Sequence, residues 1–234
     1  MNRLQKLFAA KLAFGLVVFT AAASAESLTF DSTVGSSINF QSNGTGASFT
    51  FPAAAATPGT DFVVDSSTGF PTNLAGLFGD ITGTFSYLNS DINNVAPGIQ
   101  LVTVSGTGQF ILHDGVGNDF TATLVWNNLS DVGSTEGLNY TSSVNLSNFS
   151  YSGANASLLA LENSSNGSVN VAFSFPAPGE SLSGLASSAC SAGCSTSFQG
   201  TLNATTTPEP TSMAFLLIGG LGIAGFARRF RKVQ

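Results

Sequence analysis

The stretch "NDFTATLVW", Asn118–Trp126, decides the fold. Phe120, Ala122, Leu124 and Trp126 recur at every second position, with Thr121, Thr123 and Val125 between them. Side chains of a strand alternate between its two faces, so a period of two marks a strand with one face on a core. "SVNVAFSF", Ser168–Phe175, repeats the pattern with Val169, Val171, Phe173 and Phe175. Working outward, further strands are expected at Ser36–Phe40, Ser48–Phe51, Phe62–Asp65, Ile81–Leu88, Ile99–His113, Leu138–Tyr151 and Thr196–Ala204. Gly, Asn, Asp and Ser fill the gaps. Many short strands with such turns point to an all-β fold, an antiparallel β-sandwich or a related β-rich single domain.

"GTFSYL", "GTGQFIL" and "GTLNAT" share a Gly-Thr opening without a fixed period, which argues against a repeat array. Ser157–Glu162, "SLLALE", is the one helical stretch of the body. "FPAAAATPGT", Phe51–Thr60, reads as a loop, with Pro near both ends opposing continuation of strand or helix.

Ser, Thr, Asn and Gly are abundant, yet residues 26–204 are not a disordered linker. They hold fourteen of the twenty Phe residues, Trp126 and all three Tyr, too many aromatics for a low-hydrophobicity chain. About 180 residues suit one domain with a sizeable core.

Charge divides the chain sharply. All seven Lys and Arg lie near the ends, at Arg3, Lys6, Lys11, Arg228, Arg229, Arg231 and Lys232. Residues 26–207 contain none of them and twelve of the thirteen acids, a formal charge of −12. Such a body repels nucleic acid and anionic lipid and has no cation with which to clamp a phosphate. Its acids are expected to be solvated or to bind cations.

The N-terminal 25 residues have the layout of a secretory signal peptide: a basic opening, the apolar run "LAFGLVVFTAAA" over Leu12–Ala23, and the small-residue stop Ala23-Ser24-Ala25. Cleavage is expected after Ala25, leaving Glu26 as the first residue of the exported chain.

No residue set assembles a familiar catalytic site. His113 is the sole histidine, and Asp114 follows it directly, so in a strand the two side chains leave opposite faces and Asp114 cannot orient the ring. One His and two distant Cys make an incomplete zinc set. Asp61 and Asp65 in "DFVVD" form an obvious carboxylate pair, but four strand residues separate their backbones by roughly 13 Å, beyond the roughly 5–9.5 Å of glycoside hydrolysis. They read as solvated strand ends.

Asp114-Gly115-Val116-Gly117-Asn118-Asp119 resembles one copy of the glycine- and aspartate-rich nonapeptide that binds calcium in parallel β-helix toxins and proteases. That family stacks its copies, whereas this chain has one, ending in Phe120. The resemblance implies calcium on Asp114, Asn118 and Asp119; a tight Asp-Gly connection between two strands explains the same residues with no ion. No other cofactor is expected.

Cys190 and Cys194, in "ACSAGCS", are expected to form a disulfide that pins a turn. Nine Asn-x-Ser/Thr sequons, at Asn43, Asn128, Asn139, Asn145, Asn148, Asn155, Asn163, Asn166 and Asn203, mark glycosylation positions only where a matching transferase exists.

The C-terminal stretch orders a polar spacer, Pro208-Glu209-Pro210, the apolar run Met213–Ala227 and a basic stop, Arg228, Arg229, Arg231 and Lys232. Fifteen helical residues span about 22 Å, marginal against about 30 Å of hydrocarbon. The basic residues would stay cytoplasmic, with Pro208-Glu209-Pro210 outside the membrane. A lipid-anchor signal ends in its apolar tail, unlike "RRFRK".

This ending resembles the PEP-CTERM sorting signal of exopolysaccharide-producing Gram-negative bacteria. The resemblance implies recognition by the membrane transpeptidase exosortase and processing near the motif after transient anchoring in the inner membrane. The body is similar to the Ser/Thr/Asn-rich β domains that precede this signal, which assigns no activity. Three segments are thus expected: signal peptide 1–25, acidic all-β domain 26–204, and linker with sorting signal 205–234. The expected role is structural or adhesive, at the cell surface or in an extracellular polymer matrix or biofilm, with exosortase, the secretion machinery and exopolysaccharide as partners and no enzymatic activity. A carbohydrate- or calcium-binding module using exposed aromatics and acids is the alternative, and a secreted hydrolase the third reading.

Overall fold

The computed structural model describes residues 25–52, 60–134, 137–164, 166–176 and 180–205. The signal-peptide reading, apart from Ala25, falls outside these residues, as do the sorting signal and most of the 51–60 loop.

Among the described residues fourteen strands carry the body, in all-β, antiparallel arrangement. In chain order they are β1 (Ala25–Ser32), β2 (Ile38–Ser42), β3 (Gly46–Thr50), β4 (Phe62–Thr68), β5 (Phe78–Gly83), β6 (Phe85–Leu88) and β7 (Asn93–Ala96). There follow β8 (Ile99–Thr103), β9 (Thr107–His113), β10 (Asp119–Ser134), β11 (Gly137–Ser150), β12 (Asn166–Pro176), β13 (Cys194–Thr196) and β14 (Phe198–Thr205). The larger sheet runs β11-β12-β14-β1-β4-β5-β9-β10, and β10 also pairs with β11, so eight strands close into a barrel-like ring. Closure removes the open edges that an isolated sheet would expose to other chains.

The length of β10 makes both closure and branching possible. One of its edges pairs with β9 over residues 119–125 and with β8 over residues 128–132, while the other follows β11. The β7–β8 hairpin branches off there. A second sheet, β13-β2-β3-β6, brings its phenylalanines onto the barrel strands. Phe49 lies 4.9 Å from Trp126 between ring centroids, Phe85 lies 5.2 Å from Trp126, and Phe40 lies 5.4 Å from Phe173. Phe30, Phe62 and Phe110 form another aromatic cluster, from β1, β4 and β9. Each buried aromatic of this size contributes about 2–3 kcal/mol of transfer free energy, so the alternating pattern supplies the main driving force.

Two expected strands are each split. Ile81–Leu88 divides between β5 and β6, in different sheets, and Ile99–His113 divides between β8 and β9. Gly83 and Gly106 make the breaks, with φ of 113° and 128°. A Cβ at either would come within 2.8 Å of Gly108 Cα or 2.6 Å of the Thr84 carbonyl, so only glycine lets these backbones cross. β1, β7 and β13, which the expected Thr196–Ala204 strand only touches at Thr196, go beyond the expected strands. β7 is exposed on every residue and carries no amphipathic pattern.

The helix expected at Ser157–Glu162 forms as α1 (Ala156–Asn163), and α2 (Leu182–Leu185) adds a single turn. Asn155 caps α1 by accepting from the backbone N–H groups of Ser157 and Leu158. β1 and β14 are adjacent, with Ala25 opposite Thr205, so the chain enters and leaves this barrel on one rung.

Candidate functional site

The twelve acids of the cation-free body are not all solvated. Glu26 and Asp61 are each 3 % exposed, Asp80 is 9 % and Asp131 is 1 %. Burying a carboxylate without a partner is costly, and with no Lys or Arg in the body the partner has to be an N–H group, a hydroxyl or the single imidazole.

Backbone amides supply most of them. Asp131 accepts from Gln100 N at 2.6 Å and Leu182 N at 2.9 Å, joining β8 and the start of α2 to β10. Asp61 accepts from Ile81 N at 2.9 Å, and Asp80 accepts from Asp61 N at 3.1 Å. The reading of Asp61 and Asp65 as solvated strand ends is therefore corrected in part. Asp65 is exposed, whereas Asp61 sits where β4 meets β5 and its carboxylate bonds the neighbouring strand. Burial and the nearby Asp80 charge push the Asp61 pKa up to about 6, against the Ile81 hydrogen bond.

His113 lies between two carboxylates. Its Nε2 is 2.8 Å from Asp80 Oδ2 and its Nδ1 is 2.8 Å from Asp119 Oδ1, bridging β5, β9 and β10. Burial lowers the imidazole pKa, but the hydrogen bonds and charges of Asp119 and Asp80 outweigh it, so the net direction is upward. A ring engaged at both nitrogens favours the imidazolium and has no free nitrogen for a substrate or nucleophile. The array can hold and release a proton. The described residues show no serine or cysteine nucleophile bonded to it.

The turn after His113 is organised by Asp114. Its Oδ1 accepts from Val116 N and Asn118 N, and its Oδ2 from the Asn118 amide and the Tyr151 hydroxyl. Slight burial acts upward on Asp114, but these four donors hold its carboxyl at about 2. Of the three residues read as calcium ligands, Asp114 and Asn118 meet each other, while Asp119 turns to His113. No group of three His, Cys, Asp or Glu suited to a metal occurs among the described residues.

Cys190 and Cys194 are joined by a disulfide beside β2, where Cys194 pairs with Phe40. Asn43, Asn145, Asn148, Asn163, Asn166 and Asn203 are exposed, Asn128 and Asn155 half-buried, and the Asn139 side chain lies outside the described residues. The aromatics expected at the surface are mostly internal: Phe78, 45 % exposed, is the only exposed one among the described residues. A concavity of about 610 Å³ lies along β11, β12, β14 and β1, lined by the polar Asp31, Thr141, Ser174, Ser197 and Gln199 and by Tyr140, Phe173 and Phe198.

Hairpin symmetry about Val116 would have paired His113 with Asp119 from sequence alone. Asp80 is 33 residues from His113 and became a partner only through the β5–β9 register. Asp131 and Glu26 gave no signal, because in a strand an inward acid looks like an interruption of the apolar face.

Ala23, Pro208, Glu209, Pro210, Arg228, Arg229, Arg231 and Lys232 lie outside the described residues, and Ala25 opens β1. No helix among the described residues is long and apolar enough to cross a membrane; the Met213–Ala227 segment is not among them. Residues 206–232 match the family model of the PEP-CTERM protein-sorting motif. The motif implies export, exosortase processing and sorting to the cell surface. The chain matches no curated protein and no solved structure.

Proposed function

We propose that the protein works outside the cell, at the surface or in the extracellular polymer matrix, through a structural or adhesive role in exopolysaccharide or biofilm rather than by catalysis. The sorting-motif match at residues 206–232 is the observation that carries this reading. The doubly engaged His113 supports the non-catalytic part, because both nitrogens of the body's one imidazole are taken up by Asp80 and Asp119. The tail holds the chain in the inner membrane only until exosortase acts. Replacing Pro208, Glu209 and Pro210 by alanine is expected to keep the protein in the membrane fraction and to weaken matrix cohesion. Unchanged cohesion in cells that lack the protein would overturn the structural role.

A second reading, a carbohydrate-binding module, is favoured by the concavity on β11, β12, β14 and β1, where hydroxyl and amide side chains stand beside Tyr140, Phe173 and Phe198 and the Asp31 carboxylate. Its side chains suit a neutral polyhydroxylated chain and offer no cation to an anionic one. Calorimetry with a glycan panel and with calcium separates the readings, since saturable binding would defeat a purely structural role. Hydrolysis is third; activity surviving His113→Gln would exclude that ring as the base.

A further inference from the structure

Glu26 is the anomaly of the buried acids. It is 3 % exposed, its side chain lies on the inward face of β1 with Leu28 and Phe30, and its Oε2 has no hydrogen-bond partner. The strands flanking it offer Leu202, Asn203 and Ala204 on β14 and Ser67 and Thr68 on β4, none of which titrates or carries charge. Burial alone raises its pKa, with no neighbouring charge acting on it. His113 is committed elsewhere, and residues 26–207 contain no Lys or Arg.

Glu26 is also the residue that signal cleavage after Ala25 makes the first of the chain. Hydrolysis of the Ala25–Glu26 bond consumes one water. The Ala25 carbonyl leaves as a carboxylate, and the Glu26 nitrogen becomes an amine that takes up a proton at neutral pH, its ordinary pKa being about 8. We infer that this new α-ammonium is the missing partner of the Glu26 carboxylate, so that signal removal completes the barrel at the β1–β14 seam. A glutamate side chain is long enough to fold back on its own nitrogen, and a cation with three donors replaces an amide with one. The uncleaved chain keeps an unpaired buried acid, so export and final stability are coupled. The inference rests on the export reading.

The test uses the exported, signal-processed protein. Residues 26–211 contain no lysine, so an acetylating reagent reaches a single amine of the barrel, that of Glu26. Intact mass and N-terminal sequencing are expected to show a start at Glu26. Thermal unfolding at pH 6, followed through buried Trp126, is expected to fall by about 2–4 °C on acetylation, the shift typical of one modest interaction in a domain of this size. In Glu26→Gln acetylation is expected to change nothing, and in the unaltered protein the gap is expected to close by about pH 10, since pairing with the carboxylate raises the amine above its ordinary value of about 8 before it loses its proton. A start at another residue overturns both the cleavage reading and the inference. A start at Glu26 with no acetylation effect, with the same effect in Glu26→Gln, or with a gap that persists unchanged at about pH 10, overturns the inference alone.

Discussion

Asp131 and Glu26 are buried to nearly the same degree on strands of the same barrel, and they differ in what meets them. Around Asp131 the chain brings two amides, Gln100 N and Leu182 N, to the two carboxylate oxygens. Beside Glu26, Oε2 meets none. The difference teaches how a body without Lys or Arg keeps acids inside. Strand ends and helix starts aim free N–H groups at them, and where the ladder consumes every amide, as between β14 and β4, the acid goes unmet.

The largest effect lies in the core that positions both sites. Phe49 links Phe40, Phe85 and Trp126 across the two sheets, and Phe49→Ala is expected to cost about 3–5 kcal/mol in urea unfolding. A loss below about 1 kcal/mol would show that the second sheet does not seat on the barrel as described. Next comes Asp131→Ala, which leaves two buried N–H groups unmet and is expected to cost about 3 kcal/mol, with Asp131→Asn intermediate. Equal stability for all three proteins would remove one side of the comparison.

The pH profile is a subtler probe. Asp61, raised to about 6, binds a proton more tightly in the folded state. Its stabilising effect is complete below the ordinary Asp value of about 4 and is lost as pH rises to about 6, a change on the order of 2–3 kcal/mol. His113, also raised, acts in the same direction, present below its ordinary value and lost above its folded one. Asp114, held at about 2, works oppositely, losing its contribution as pH falls from about 4 towards 2. Stability is therefore expected to peak near pH 4 and decline towards neutrality, and Asp61→Asn should flatten the decline between about pH 4 and 6. A profile that rises from pH 4 to 7 would contradict these directions. The smallest effect is that of the Cys190–Cys194 bond. Its short loop restricts the unfolded chain little, so reduction is expected to cost no more than about 2 kcal/mol and to leave the Trp126 emission of the folded protein unchanged.

Strands buried on one face were legible from sequence. Phe120, Ala122, Leu124 and Trp126 are all internal, as are Val169, Val171, Phe173 and Phe175. Period-two patterning does not register a change of sheet, which is why Ile81–Leu88 read as one strand although Gly83 breaks it. Nor does it register a strand exposed on both faces, such as Asn93–Ala96. Barrel closure depends on β10 reaching β8, β9 and β11 together, a property of length and register rather than of composition. The site was less legible than the fold. Cross-strand meetings such as Asp80 with His113 follow from register, and an acid held by backbone N–H groups has no signature in side chains.

On this reading the chain is exported and sorted, its two charged ends serving as addresses. The most direct test is the intact mass of the protein recovered from the surface and medium of the producing cells. A chain that starts at Glu26 and ends near Pro208–Thr211 is expected. A mass that retains Met1–Ala25, or one that retains Arg228–Gln234, would contradict it.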